Sequence, residues 1–398
     1  MAATYDTIFS PEFLSDPYPT YDYLRQHSPI CFLEDMNGWA ITSHRDAIAI
    51  LKDRRFGNSV QANPTVQKNI PLFTKFEEYG LVHIDPPAHT RLRAVLQKSF
   101  APHVMKQLEG PIHEIVIELL DRMSGQDEID FIKDFAYAVP VSVIAELVGV
   151  PRSERQLFHN WSRGIVEGFD INATSEMQIQ CNGIFEQFRE YILMLAEARR
   201  ACPQNDLITH FVQVLDQEDG RVSEEEMVNN CILLLTAGHE TSASLLTNGI
   251  LALLAHPDQF TRLKNDPRLI SNAIEEMMRY ARPLQMIMRA VREDVEMNGH
   301  HFRQGQTVVV FLSAANRDPE VFRDPDRFDI GRTPNPHLGF GYGIHHCLGA
   351  PLARVEAPIA LLEFITRFPD VSLTDKPLER LITLRNLTLR ELPLRLHR

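Results

Sequence analysis

Residues 231 to 255, CILLLTAGHETSASLLTNGILALLA, are an apolar run long enough to cross a bilayer, and any fold of this chain has to hide it. The run lies mid-chain and carries His239, Glu240 and Asn248, polar groups that are costly in lipid, so a central helix buried among other helices is predicted. The surrounding pattern supplies those helices. Between Pro87 and Leu254, apolar residues recur at i, i+3 and i+4 in VMKQLEGPIHEIVIELLDRM, FAYAVPVSVIAELVGV and IFEQFREYILMLAEARR, and LISNAIEEMMRYA repeats the period later. Helices are also expected in DPYPTYDYLRQH and from Ser43 to Lys52. Strand-like runs are short: ICFLE and WAITS, joined by a hairpin turn at Asn37 and Gly38, then QTVVVFLSAAN, then TLRNLTLRELPLRLH. The fold class predicted is mainly α with a minor β part. Residues 57 to 81 show neither period, carry prolines and several large apolar side chains, and read as a long loop acting as a binding lid.

No linker or repeat divides the chain, and residues 1 to 398 are expected to form a single domain. A formal net charge of -13 argues against nucleic acid or an anionic membrane as partner. The opening residues hold acids and prolines where a secretory signal or anchor needs an apolar run, so a cytoplasmic protein is expected. Five cysteines at irregular spacing suggest no disulfide framework and leave room for one chemically special thiol.

That thiol is Cys347. It closes FGYGIHHCLG (340 to 349), just ahead of APLARVEAPIALLEFITRF, an apolar-periodic helix with Pro351 in its first turn. Unpaired N–H groups at a helix start favour a thiolate there. Gly341, Gly343 and Gly349 let backbone approach a flat cofactor, and Phe340 can shield the sulfur. The spacing Phe340-x-x-Gly343-x-x-x-Cys347-x-Gly349 resembles the haem-binding signature of the cytochrome P450 family, and the resemblance extends from about residue 12 to 396. It implies a triangular helical prism with a small β region, haem b (iron protoporphyrin IX) ligated by Cys347, dioxygen as co-substrate, and electrons from NAD(P)H through an external ferredoxin and ferredoxin reductase.

Three further segments follow in the family's order. Ala237-Gly238-His239-Glu240-Thr241 resembles its oxygen-activating stretch, where Gly238 and the Thr241 hydroxyl can open a kink and Glu240 with Thr241 act as the catalytic acid and alcohol. Glu276 and Arg279 resemble a structural ion pair completed by Arg327 of PDRF. His89, Arg93, Arg289 and His345 match positions that hold the haem propionates. The resemblance assigns the substrate pocket to the 57 to 81 loop, the 161 to 182 segment, Thr236 to Ser244, the run around Met286, Ile287 and Met288, and the turn near Leu387, with Phe73, Ala237, Ile287 and Leu387 as lining residues. The expected activity is hydroxylation or epoxidation of a small apolar molecule by a monomeric enzyme. A polyketide, macrolide or terpenoid is favoured over a fatty acid or steroid. A haem-thiolate peroxygenase would have no use for Glu240 and Thr241, and a haem sensor or carrier would need neither a proton relay nor a thiolate. Arg91, Lys98 and Arg354 are the expected cationic patch for an acidic ferredoxin.

Overall fold

The computed structural model describes residues 10–34, 37–58, 69–169, 173–217, 220–382 and 387–397. In chain order its principal elements are α1 (Tyr18–His27), β1 (Ile30–Leu33), β2 (Gly38–Ile41), α2 (His44–Lys52), β3 (Phe56–Gly57), α3 (Pro71–Tyr79), α4 (Ala88–Leu96), α5 (Pro102–Met123), β4 (Glu128–Asp130), α6 (Ala138–Val148), α7 (Arg155–Phe169), α8 (Ser175–Ala201), α9 (Leu207–Leu215) and α10 (Glu224–Ala255). There follow α11 (Pro257–Asn265), α12 (Ile270–Tyr280), β5 (Met286–Val291), β6 (Val295–Met297), β7 (His300–Phe302), β8 (Thr307–Phe311), α13 (Ala350–Arg367), β9 (Asp370–Leu373), β10 (Arg380–Ile382), β11 (Leu387–Leu389) and β12 (Pro393–His397). Helix dominates, as its apolar periodicity requires. These residues group into two compact units, one of Met1–Val60, Thr247–Cys347 and Leu378–Arg390, the other of Gln61–Leu246, Leu348–Pro377 and Glu391–Arg398.

The first unit is built on a five-stranded sheet in the order β1-β2-β8-β5-β3. The expected hairpin is present, with Ile30 opposite Ile41 and Leu33 opposite Gly38. Asn37 supplies the turn's left-handed residue, with φ at 45°. Gly38 serves a different purpose from the one expected: it lies in β2, and a Cβ there would stand 2.7 Å from the Thr307 carbonyl oxygen. The β2–β8 pairing is parallel, Gly38 to Thr307 through Ile41 to Val310, while β5 runs antiparallel to β8. Alternation sends Trp39, Ile41, Val308 and Val310 to one apolar cluster and Ala40, Val309 and Phe311 to another.

In the second unit α5 packs against both α6 and α13, and α7 against α8. The α6 sequence AVPVSVIAELV is apolar nearly all round, and all but Glu146 of its residues are buried. Phe131, Phe135 and Phe364 join α13 to the start of this layer, with ring centroids 4.8 and 5.3 Å from Phe364. Helix α10 begins at a reciprocal cap in which the Glu226 N–H donates to Ser223 Oγ and the Ser223 N–H to Glu226 Oε2.

The 57 to 81 segment departs from expectation. Residues 59–68 lie outside the described residues, but Pro71–Tyr79 is a helix with proline in its first turn, not loop. Long-range bonds hold it. The Leu72 N–H donates to Asn182 Oδ1 at 3.2 Å, and Asn230 of α10 spans its end, taking the Leu81 N–H and donating to the Tyr79 carbonyl, both at 2.9 Å. Among the described residues no helix is long and apolar enough to cross a membrane.

Candidate active site

Residues 338 to 347 fold back on themselves. The Gly341 N–H donates to Leu338 O at 2.8 Å, the His346 N–H to Gly343 O at 3.1 Å, and the Cys347 N–H to Phe340 O at 2.9 Å. Gly341 and Gly343 sit at φ of 68° and 74°, where a Cβ is strained. Gly343 is also pressed onto α2: a Cβ there would stand 2.2 Å from the Leu51 carbonyl oxygen. The loop so shaped buries Phe340, leaves His345 half-buried, and exposes Cys347. Cys181 and Cys231 contrast with it. Both are buried, and burial pushes the Cys181 thiol up to about 12 and raises the Cys231 thiol as well. Gly349 caps α13.

No group of three or more His, Cys, Asp or Glu suited to a metal ion occurs among the described residues. A metal that brings its other ligands with it, as haem iron does, asks a single donor of the chain. An accessible sulfur on a glycine turn fits that group.

Behind the loop, Glu276 and Arg279 on α12 are both fully buried and joined by two bonds of 2.8 Å. Arg279 also donates to the carbonyls of Asn316, Pro325 and Arg327 at 3.0, 2.7 and 3.0 Å. Arg327 is thus a main-chain acceptor; its side chain is exposed. The guanidinium that completes the pair belongs to Arg332, whose Nε lies 3.1 and 3.2 Å from the two Glu276 oxygens. This corrects the assignment to Arg327: the turn at PDRF aims its carbonyl inward, which residue spacing does not encode. Glu276 further accepts from the Asp329 N–H at 2.9 Å and Asn335 Nδ2 at 3.3 Å. The assembly reaches the cysteine loop through Asn316, whose Oδ1 accepts the Leu338 N–H at 2.7 Å.

On α10 the Thr241 hydroxyl donates to the Ala237 carbonyl at 2.9 Å. The helix is continuous past Gly238, so the opening expected there is not a helix break. A Cβ at Gly238 would meet Ile144 Cδ1 of α6 at 2.8 Å, which gives glycine a packing reason. Glu240 is half-buried and Ala237 exposed. Sequence reasoning passed over two neighbours. His239 is wholly buried, and burial drives its ring down to about 4. Glu356 of α13 is 2% exposed; burial pushes its carboxyl up to about 8, against one hydrogen bond from Ser242, and its Oε1 has no partner. Nothing in either residue's spacing announces this.

The expected propionate residues divide between the units. His89 is buried and Arg93 half-buried on α4 in the second; Arg289 on β5 and His345 belong to the first. Arg289 donates to Asn58 Oδ1 at 2.6 Å. Of the expected pocket residues, Phe73 is half-buried on α3 with its ring 5.7 Å from Phe76, and Ile287 packs against the sheet core. Leu387 pairs with Ile382 through its backbone, and its side chain lies outside the described residues. In the cationic patch Lys98 and Arg354 are exposed. Arg91 drops out, because it is spent on the Glu226 carboxylate and on the Arg221 carbonyl at 2.6 Å.

Against known proteins, the family described as Cytochrome P450 matches residues 41–397. The "Biotin biosynthesis cytochrome P450" of Bacillus subtilis is 38% identical over 369 residues, 92% of each chain. The "6-deoxyerythronolide B hydroxylase" of Saccharopolyspora erythraea is 36% identical over 374 residues, 92% of this chain and 91% of that one. Among solved structures, P450BioI in complex with hexadec-9Z-enoic acid ligated acyl carrier protein superposes with a TM-score of 0.88 at 36% identity, covering 97% of this chain and 100% of that chain.

Proposed function

The chain belongs to the cytochrome P450 family, haem enzymes that use dioxygen as monooxygenases, and from that premise we propose that Cys347 is the thiolate ligand and that residues 1 to 398 act as one catalytic domain. The observation that carries this reading is the exposed Cys347 side chain on a loop closed by its own N–H to Phe340 O and by two left-handed glycines. Haem bound at that sulfur supplies the reductive splitting of dioxygen. Phe340, Gly341 and Gly349 shape the sulfur's surroundings, while His89, Arg93, Arg289 and His345 hold the propionates. The Glu276–Arg279–Arg332 assembly keeps the loop's approach rigid. Glu240 carries protons in its carboxyl to the oxygen side and Thr241 orients them through its hydroxyl.

Replacing Cys347 with serine is expected to abolish the strongly red-shifted Soret band of the reduced, carbon monoxide-treated protein. Retention of that band in Cys347→Ser overturns the assignment.

The substrate proposed is an apolar, acyl-derived small molecule such as a polyketide lactone. The names of two relatives support it, one a 6-deoxyerythronolide B hydroxylase and one crystallised with a fatty acyl chain on its carrier protein. Phe73, Ala237, Ile287 and Leu387 are proposed to line its site. Electrons come from NAD(P)H through an external acidic ferredoxin that docks on Lys98 and Arg354. Reversing both charges should slow reduction at low salt and matter little at high salt; equal rates at low salt remove the docking site.

A further inference from the structure

A chain of three side chains, its inner two wholly buried, runs from the residue before α6 through α7 into α10. The Tyr137 hydroxyl lies 2.8 Å from Ser162 Oγ. Ser162 and His239 are both 0% exposed, and Ser162 Oγ lies 2.9 Å from the ring's Nε2 and 3.2 Å from Nδ1. Nδ1 is taken by the Leu235 carbonyl one turn back. The Leu235 carbonyl can only accept, so Nδ1 carries a proton. With the buried ring neutral, Nε2 accepts from Ser162 and Ser162 accepts from Tyr137. Burial, which lowers the ring's proton affinity, agrees with that state. The Tyr137 ring meets the imidazole edge to face at 5.0 Å.

An apolar residue would fill this space as well; what histidine adds is a directional tie. The residue sits between Gly238, which offers no side chain to hold the turn, and the Glu240–Thr241 pair, whose hydroxyl already bonds Ala237. We propose that His239 is a positioning residue: anchored through Ser162 to α7 and Tyr137, it fixes the rotation of the α10 turn that carries Glu240 and Thr241. This rests on the reading of that pair as the handlers of protons and oxygen. Because α7 contains residues 161–169, part of the stretch assigned to the substrate pocket, the tie would make the oxygen side answer to the seating of α7.

The test uses holoenzyme with a surrogate ferredoxin and reductase, hexadec-9Z-enoic acid as probe, and hydrogen peroxide released per NAD(P)H oxidised as readout. In His239→Phe and in Ser162→Ala, peroxide per turnover relative to product should rise about fivefold, the worth of one neutral hydrogen bond. Haem content and the carbon monoxide band should stay unchanged. The double variant should be no worse than either single one, since both cut the same tie. His239→Gln, whose amide offers both a donor and an acceptor, should recover coupling to within about twofold. Unchanged coupling in both single variants, or effects that multiply in the double one, overturns the proposal. Independently of turnover, nitrogen NMR of the His239 ring should show the Nδ1–H tautomer in the unmodified protein and, in Ser162→Ala, keep that tautomer through Leu235 while the Nε2 resonance shifts on losing the Ser162 hydroxyl. A ring that titrates like a free histidine, or one indifferent to Ser162, also overturns it. Failure of the haem-thiolate reading would look different, as absence of the red-shifted band from the unmodified protein.

Discussion

Glu276 in the first unit and Glu356 in the second are the same residue type, on helices, with 0% and 2% of their surface exposed. Glu276 is met by Arg279, Arg332, the Asp329 N–H and Asn335. Glu356 has one hydroxyl, from Ser242, and an oxygen with no partner. Equal burial therefore comes with unequal sets of donors. A carboxylate wrapped in guanidinium groups holds a fixed shape. A carboxyl left with one weak donor keeps its proton near neutral pH and stays responsive to it. The first kind stands behind the cysteine loop and the second on the helix that follows it.

The largest expected effect tests the saturated side. Glu276→Gln leaves Arg279 buried, and Arg332 half-buried, without their anion and should cost about 3–5 kcal/mol in urea unfolding. A loss under about 1 kcal/mol would mean the cluster is not integral to the fold. Next comes the proton-retaining side. With its pKa raised from about 4.5 unfolded to about 8 folded, Glu356 binds more protons in the folded state between those values. Its contribution is therefore intact below about pH 4.5 and is lost as pH rises through about 8. Glu356→Gln should flatten that alkaline loss, as measured by denaturant midpoints against pH. His239 runs the other way. Its pKa falls from 6.5 to about 4, so its contribution is present above pH 6.5 and lost as pH drops through about 4. His239→Gln should remove this acid limb and leave the alkaline one. Smaller still, Arg332→Ala should cost about 1–3 kcal/mol, and Arg327→Ala, which leaves the carbonyl in place, within about 0.5 kcal/mol. Reversal of that order would restore Arg327 as the partner.

What was legible in the sequence is what local pattern encodes. Helical periodicity marked α5, α6, α8, α10 and α12, and the glycine and cysteine spacing of 340 to 349 marked a loop built for close approach. What escaped depends on partners far along the chain. Helix α3 hides behind Pro71 and a short, broken apolar pattern because its support comes from Asn182 and Asn230, more than a hundred residues away. Arg332 could not be told from Arg327 because a guanidinium and a carbonyl can serve one site from neighbouring turns. Gly38 looked like a turn residue and proved to be a contact with Thr307. His239 stands in the sequence as one polar group on an apolar helix; only the fold brings Ser162 to it.

The parallel register of β2 on β8 bears on how the chain is made. A ribosome delivers the β1–β2 hairpin early, but its partner strand, Thr307–Phe311, emerges only after some 270 further residues. Throughout that interval one edge of the hairpin is unpaired and able to recruit a wrong strand. Translation speed and chaperone supply across the middle of the message should thus govern the yield of native protein more than any pause near its start.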